Sequence, residues 1–153
     1  MTLYLLALAI GVIAGLRAMT APAAIAWAAW LGILPLAGTP LGFLAHIAAP
    51  IVLTLAAIAE LIADQLPKTP SRKVLPQLVA RLLMGGLGGA AIGMAMGSWT
   101  SGFTAGVFGA VIGTNGGAAA RTRLAKAFGR DLPAALIEDV VAVGGAALIV
   151  ALI

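Results

Sequence analysis

Six blocks of apolar residues run along this chain, at approximately 3–19, 21–36, 41–66, 77–96, 103–120 and 134–153, and short breaks separate them. A helix that crosses ~30 Å of hydrocarbon takes about 20 residues, so each block has, or nearly has, the length of one span. The breaks read as helix ends. Thr20 followed by Pro22 reads as an N-cap with an early-turn proline. Gly38, Thr39 and Pro40 make a turn, and Pro67, Pro70 and Pro76 bracket a polar loop that cannot be helical throughout. Residues 97–102 form a short uncharged turn, and Asp131 before Pro133 reads as the cap of a last helix. The pattern predicts an all-α integral membrane protein, a single transmembrane domain over 1–153 built as a bundle of about six short transmembrane helices. The block at 21–36 is short, about 24 Å of helix at 1.5 Å per residue. A re-entrant or broken helix near residues 17–36 is therefore the rival arrangement.

Composition strengthens the membrane reading. The chain is 62% hydrophobic and 9% charged, with a mean hydropathy of +1.12, whereas about a quarter of the residues of a soluble domain are charged. The first block lacks a positively charged n-region and no polar domain follows it, so it reads as a retained helix rather than a signal peptide. There is no Cys, which removes disulfides, thiolate metal sites and Cys nucleophiles. The net charge of +4 would suggest nucleic acid in a soluble protein. Here the basic residues flank apolar blocks, which is the positive-inside pattern, and no nucleic-acid partner is expected. If the loop at 68–73 is cytoplasmic, Arg17 and the 121–130 segment fall on the same side, the uncharged turns at 37–40 and 97–102 fall outside, and both termini lie outside. All nine Lys and Arg are then cytoplasmic. A re-entrant second segment would strand Arg17 on the outer side.

Glycine recurs at helical spacing in the second half. Gly85, Gly89, Gly93 and Gly97 mark the fourth block, and Gly102, Gly106, Gly109, Gly113 and Gly117 the fifth. Steps of three and four fall on one helix face, where small residues let backbones approach closely. Close helix packing is the first reading; a narrow pore lined by backbone, or a homodimer seam, are the alternatives. The two halves show no residue-level inverted repeat.

The acidic residues are few and placed within or beside spans. Glu60 and Asp64 lie one turn apart on one face, and Glu138 and Asp139 lie just over one turn into the last block. Arg17 ends the first block, Arg81 opens the fourth, and Asn115 sits in the last third of the fifth. Charges in a bilayer are costly, face the interior or a wet cavity, and usually pair. A polar pocket at the cytoplasmic helix ends is expected, with Glu60, Asp64, Asn115, Glu138 and Asp139 binding a small ion or solute. A purely structural reading pairs Arg17 with Glu60 and Arg81 with Asp139, or lets the arginines snorkel. Hard cations such as Ca²⁺ or Mg²⁺, or a proton relay, would use these same carboxylates. An anion site is the competing arrangement: Arg17 beside Thr20 at a helix N-terminus, extended by Arg72, Arg81, Arg121 and Arg123 towards anionic headgroups. His46 is alone and reads as a satisfied or interfacial residue. Tyr4, Trp27, Trp30 and Trp99 read as interfacial or lipid-facing, and Met84, Met94 and Met96 as packing. Ser71, Ser98 and Ser101 have no base nearby. No catalytic motif, cofactor site or fingerprint is present, so the chain does not read as an enzyme.

Three segments occur in order: Gly15-Leu-Arg-Ala-Met-Thr-Ala-Pro22; Glu60-Leu-Ile-Ala-Asp-Gln-Leu-Pro-Lys-Thr-Pro-Ser-Arg72; and Arg121-Thr-Arg-Leu leading to Leu136-Ile-Glu-Asp139. Together they resemble a family of small bacterial polytopic membrane proteins known as domain of unknown function 4126. That family's pattern has a basic residue after Asp64, where this chain has Gln65. The resemblance implies a multi-pass protein of the bacterial inner membrane and puts its motifs on the same polar cluster, but it brings no function. Transport or conduction of a small ion or solute is the leading expectation. The alternatives are a scaffold or binding protein for anionic lipid or a membrane partner, with the charged cluster structural, and an intramembrane enzyme acting on a lipid phosphate.

Overall fold

The computed structural model describes residues 2–65, 74–95 and 97–153. These residues form six α-helices and one 3-10 turn, with no strand among them. The helices are α1 (Thr2–Leu16), α2 (Thr20–Trp30), α3 (Ala48–Ala63), α4 (Leu75–Ala95), α5 (Trp99–Phe128) and α6 (Asp131–Leu152). The 3-10 turn, Gly42–Ala45, leads into α3.

Helix length follows the helix breakers. α1 stops at Leu16, and its successor α2 has only 11 residues, about 16 Å at 1.5 Å per residue. Gly32 and Gly38, both at positive φ, end the helical path after Trp30. α5 is the longest at 30 residues. Its basic stretch, expected to form a loop at 121–130, instead continues the helix to Phe128, because no Gly or Pro interrupts it before Gly129. Gly129 closes α5 in the left-handed conformation.

Two helices, α4 and α6, are long and apolar enough to cross a membrane. α1 and α3 are apolar but shorter, at 15 and 16 residues. In α5 the glycines, Asn115 and the basic last turns dilute the apolar character. The expected six short spans are thus six helices, two of which meet the length and apolarity of a span.

The chain runs back and forth along one axis. Gly88 of α4 lies against both Ile10 and Ile25, so α2 folds back along α1. The Trp27 indole N–H donates to Thr54 Oγ1 (2.9 Å), and the amides of Ala18 and Met19 donate to Glu60 (2.8 Å each), so α3 runs antiparallel to α2. Residues 31–40 carry the chain onward past buried Leu34 and Leu36. Their turn at Gly38, Thr39 and Pro40 shares an apolar recess of about 600 Å³ with Met94, Gly97 and Trp99, at the far end of the bundle. The segment from Thr20 to Pro40 therefore crosses the bundle as a short helix with an irregular tail, and the broken-helix arrangement is the one observed. The start of α1 and the end of α6 lie at that far end, because α1 runs towards Arg17 and α6 runs away from it.

Three helices form a body by backbone contact. A Cβ at Gly106 would overlap the Gly85 carbonyl, and one at Gly102 would overlap that of Gly89. Further along the same face of α5, a Cβ at Gly109 or Gly113 would overlap the carbonyl of Leu8 or Val12 of α1. The glycine stripes of α4 and α5 are used in contacts inside the chain, as close packing predicts, except Gly97, which lies past α4 at positive φ and meets nothing within 4 Å. α1 contributes Gly11 and Gly15, which press on Gly106 and on the Ala110–Thr114 turn.

Gly106→Ala should therefore destabilise the protein by about 3 kcal/mol or more, since rigid backbone cannot yield to the added methyl. Gly116→Ala, whose Cβ meets nothing within 4 Å, should be neutral or gain up to ~1 kcal/mol from lower chain entropy. Thermal unfolding of the two purified variants compares them directly, and equal losses would contradict the packing.

Candidate functional site

The break between α1 and α2 places three unwound residues, 17–19, inside an apolar bundle. A helix end leaves its last carbonyls and first amides without intrahelical partners, and such groups are costly when buried. Two charged side chains answer this need. The Arg81 guanidinium reaches from α4 and donates through Nη1 to the carbonyls of Gly15 and Leu16 (2.6 Å each). The Glu60 carboxylate reaches from α3 and accepts from the amides of Ala18 (Oε1) and Met19 (Oε2), both at 2.8 Å. A cation thus sits at the C-terminus of α1 and an anion at the N-terminus of α2, each matched to the helix dipole. The two caps pair with each other, Arg81 Nη2 to Glu60 Oε1 at 3.8 Å.

Thr20 does not cap α2. It is buried at the first helical position and its Oγ1 has no hydrogen-bond partner. Nor does Asp131 cap α6 through its side chain; its carboxylate holds Arg121.

Arg17 fills the space beside the break and is completely buried. Its two terminal nitrogens reach different helices: Nη1 meets Asp64 of α3, and Nη2 meets Asp139 of α6. Glu138 Oε2 lies 3.9 Å from Nη2. The pairing differs from the expected one. Arg17 takes Asp64 and Asp139 rather than Glu60, and Arg81 takes Glu60 rather than Asp139, because Glu60 is turned towards the α2 amides. Gln65 Nε2 donates to Asp139 Oδ2 (3.3 Å), so this residue joins α3 to α6 across Arg17.

Arg121 closes the cluster from α5. It contacts Asp64 Oδ2 (3.2 Å), Glu138 Oε2 (3.5 Å) and both oxygens of Asp131 (3.0 and 2.5 Å). It lies past the apolar stretch of α5, and its hydrogen bond to Asp131 raises its pKa above the ordinary guanidinium value against the opposing effect of burial. Arg121 is thus engaged by the carboxylates of Asp64, Asp131 and Glu138.

Of the expected site residues, Glu60, Asp64, Glu138, Asp139, Arg17, Arg81 and Arg121 come together. Asn115 does not. It is exposed on α5, with its Nδ2 donating back to Val111 O (2.9 Å). Its neighbour Thr114 is the buried residue, 3.4 Å from Gly15 O. Arg72 lies outside the described residues. Arg123 is exposed on the α5 extension. Among the described residues no group of three or more His, Cys, Asp or Glu is arranged to share a metal ion, because arginines stand between the carboxylates. The recess shared by Gly38 and Trp99 is apolar, at the other end of the bundle, and contains none of these residues. His46 is exposed there too, its Nδ1 accepting from the Ala48 amide (3.3 Å).

A scan against protein-family models and searches of curated proteins and of solved structures find no match to this chain.

The double role of Glu60 and Arg81 separates them from an ordinary buried ion pair. Replacing both partners of such a pair by apolar residues is often neutral or stabilising. Glu60→Leu combined with Arg81→Met should instead remain destabilised by roughly 2 kcal/mol or more, since both helix-end caps are lost together. Thermal melts of the single and double variants in one cycle measure this, and a double variant as stable as the parent would refute the capping role.

Proposed function

We propose that this chain is a multi-pass protein of the bacterial cytoplasmic membrane that carries a small ion or solute, with the charged cluster at the α1–α2 break as its binding site. The supporting observation is Arg17, wholly buried and shared between carboxylates of α3 and α6 at a helix break. Ionisable groups inside a membrane protein commonly mark ion or substrate pathways. Helix breaks with charged ends are a recurring way to build transporter sites. The outer faces agree with lipid surroundings: Val52, Leu55, Phe108, Val140 and Leu148 are all at least 60% exposed. The basic residues of α5 lie at the cluster end, which the positive-inside rule puts in the cytoplasm, with both termini outside. The resemblance to domain of unknown function 4126 fits this placement.

In this reading Arg81 and Glu60 hold the break open, and Asp64, Glu138 and Asp139 are the exchangeable ligands. A cation or proton that reaches Asp139 competes with Arg17 for it, so binding and release of Arg17 are coupled to occupancy.

One observation favours a second reading, a binding protein for anionic lipid with a structural cluster. α5 extends past the bundle and exposes Arg123 and Lys126 at the same end as the cluster. Cations so placed attract acidic headgroups by about 1 kcal/mol each.

Reconstitution into liposomes distinguishes the two. The transport reading expects flux of at least one member of a panel of protons, monovalent and divalent cations and small neutral solutes, reduced tenfold or more by Asp139→Asn. The lipid reading expects no flux, and anionic lipid that copurifies with the parent but not with Arg123→Ala/Lys126→Ala. Absence of flux for the whole panel would remove the transport reading.

A further inference from the structure

The helices are held to one another by two different means. α1, α4 and α5 touch backbone to backbone through Gly11, Gly85, Gly89, Gly102, Gly106 and Gly109, where no added atom fits. Such contacts define one arrangement and resist sliding.

α3 has nothing comparable. It packs chiefly on α2 and the 3-10 turn, and only Pro50 and Ala57 of its residues are buried. Its N-terminal half is anchored: Pro50 is buried, as is Leu44 in the 3-10 turn before it, Leu53 reaches the apolar core, and Thr54 accepts the Trp27 indole N–H. Beyond Ala57 no residue of α3 is buried, and Ile58 and Ile62 are 47% and 61% exposed. What ties this half down is charge. Glu60 binds the α2 amides and Arg81 of α4, while Asp64 binds Arg17 and Arg121 of α5. Just past the helix, Gln65 adds its bond to Asp139 of α6.

We infer that the C-terminal half of α3 is a latch: a helix end that pivots about the anchored Leu44–Thr54 region and is closed onto the glycine-packed body by Glu60 and Asp64 rather than by apolar packing. A segment with few buried apolar contacts opens at lower free energy than a packed one. The bonds that close it are directional and end in exchangeable charges, so it has two discrete states, closed on the arginines or released from them. This concerns how the cluster acts on the fold, and it stands whether or not anything is transported.

The absence of Cys from the sequence makes the test direct. Spin labels on Ile58→Cys (α3) and Phe108→Cys (α5) report the latch, and labels on Leu83→Cys (α4) and Phe108→Cys report the body, all three sites being exposed and Phe108 shared by both pairs. With the latch residues intact, both pairs should give narrow distance distributions. In the Glu60→Gln/Asp64→Asn background the 58–108 distribution should broaden or shift outward while 83–108 stays narrow. Because Glu60 also caps α2, Asp64→Asn alone serves as the gentler variant and should broaden the same pair to a lesser extent. An unchanged 58–108 distribution overturns the inference. Equal broadening of both pairs overturns it too, since the charges would then hold the whole bundle. Should neither variant fold, amide hydrogen exchange of the unsubstituted protein decides: residues 58–61 must exchange at least tenfold faster than residues 85–92, and equal protection rejects the latch.

Discussion

The rest of the structure depends on a helix break sealed by charge. Between Leu16 and Thr20 the chain reverses inside apolar surroundings, where carbonyls and amides cannot turn to water. Arg81 takes the carbonyls and Glu60 the amides. Each buried ion would be expensive alone. Here each satisfies backbone groups that would otherwise be orphaned, and each lies at the helix end whose partial charge is opposite to its own. The caps come from α4 and α3, so the local problem of ending one helix and starting another fixes the height of two more.

The glycine contacts set that height. Arg81 stands one turn before Gly85, in the same row of fourth residues as Gly85, Gly89 and Gly93. The face of α4 that meets α5 at Gly102 and Gly106 therefore continues into the face that carries Arg81 to the end of α1. α1 in turn rests on α5 through Gly11 and Gly15, and Gly15 supplies one of the carbonyls that Arg81 holds. Backbone packing and electrostatics are thus in register: the glycines repeat once per turn, and a slide of one turn along α4 would separate Arg81 from its carbonyls.

This division explains what the sequence revealed. The meeting of charges at one end was legible, because helix ends and cation-bearing breaks alternate along the chain in a way that a back-and-forth path brings to one level. The partners were not legible, since level along an axis does not give direction around it. Asn115 and Thr114 differ by one residue, about 100° around a helix, and only Thr114 points inward. Glu60 and Asp64 share a face, yet one is drawn to the α2 amides and the other to Arg17, a choice made by where α2 begins. The extension of α5 was hidden by its charges: a run with several Arg and Lys resembles a loop, but nothing before Gly129 stops the helix. The two glycines of α1 were too few to form a visible stripe, although they take part in the closest packing.

The same residues that seal the break also fasten the least packed helix, and this joins the two. Glu60 cannot leave the α2 amides without also releasing α3 from Arg81, and Asp64 cannot leave Arg17 without uncovering the wholly buried guanidinium. An agent that competes for Glu60 acts at once on the end of α2 and on the tie between α3 and α4. Coupling of this kind needs no long path through the protein. It follows from making one carboxylate serve two purposes, in a chain that has only five acidic residues to use.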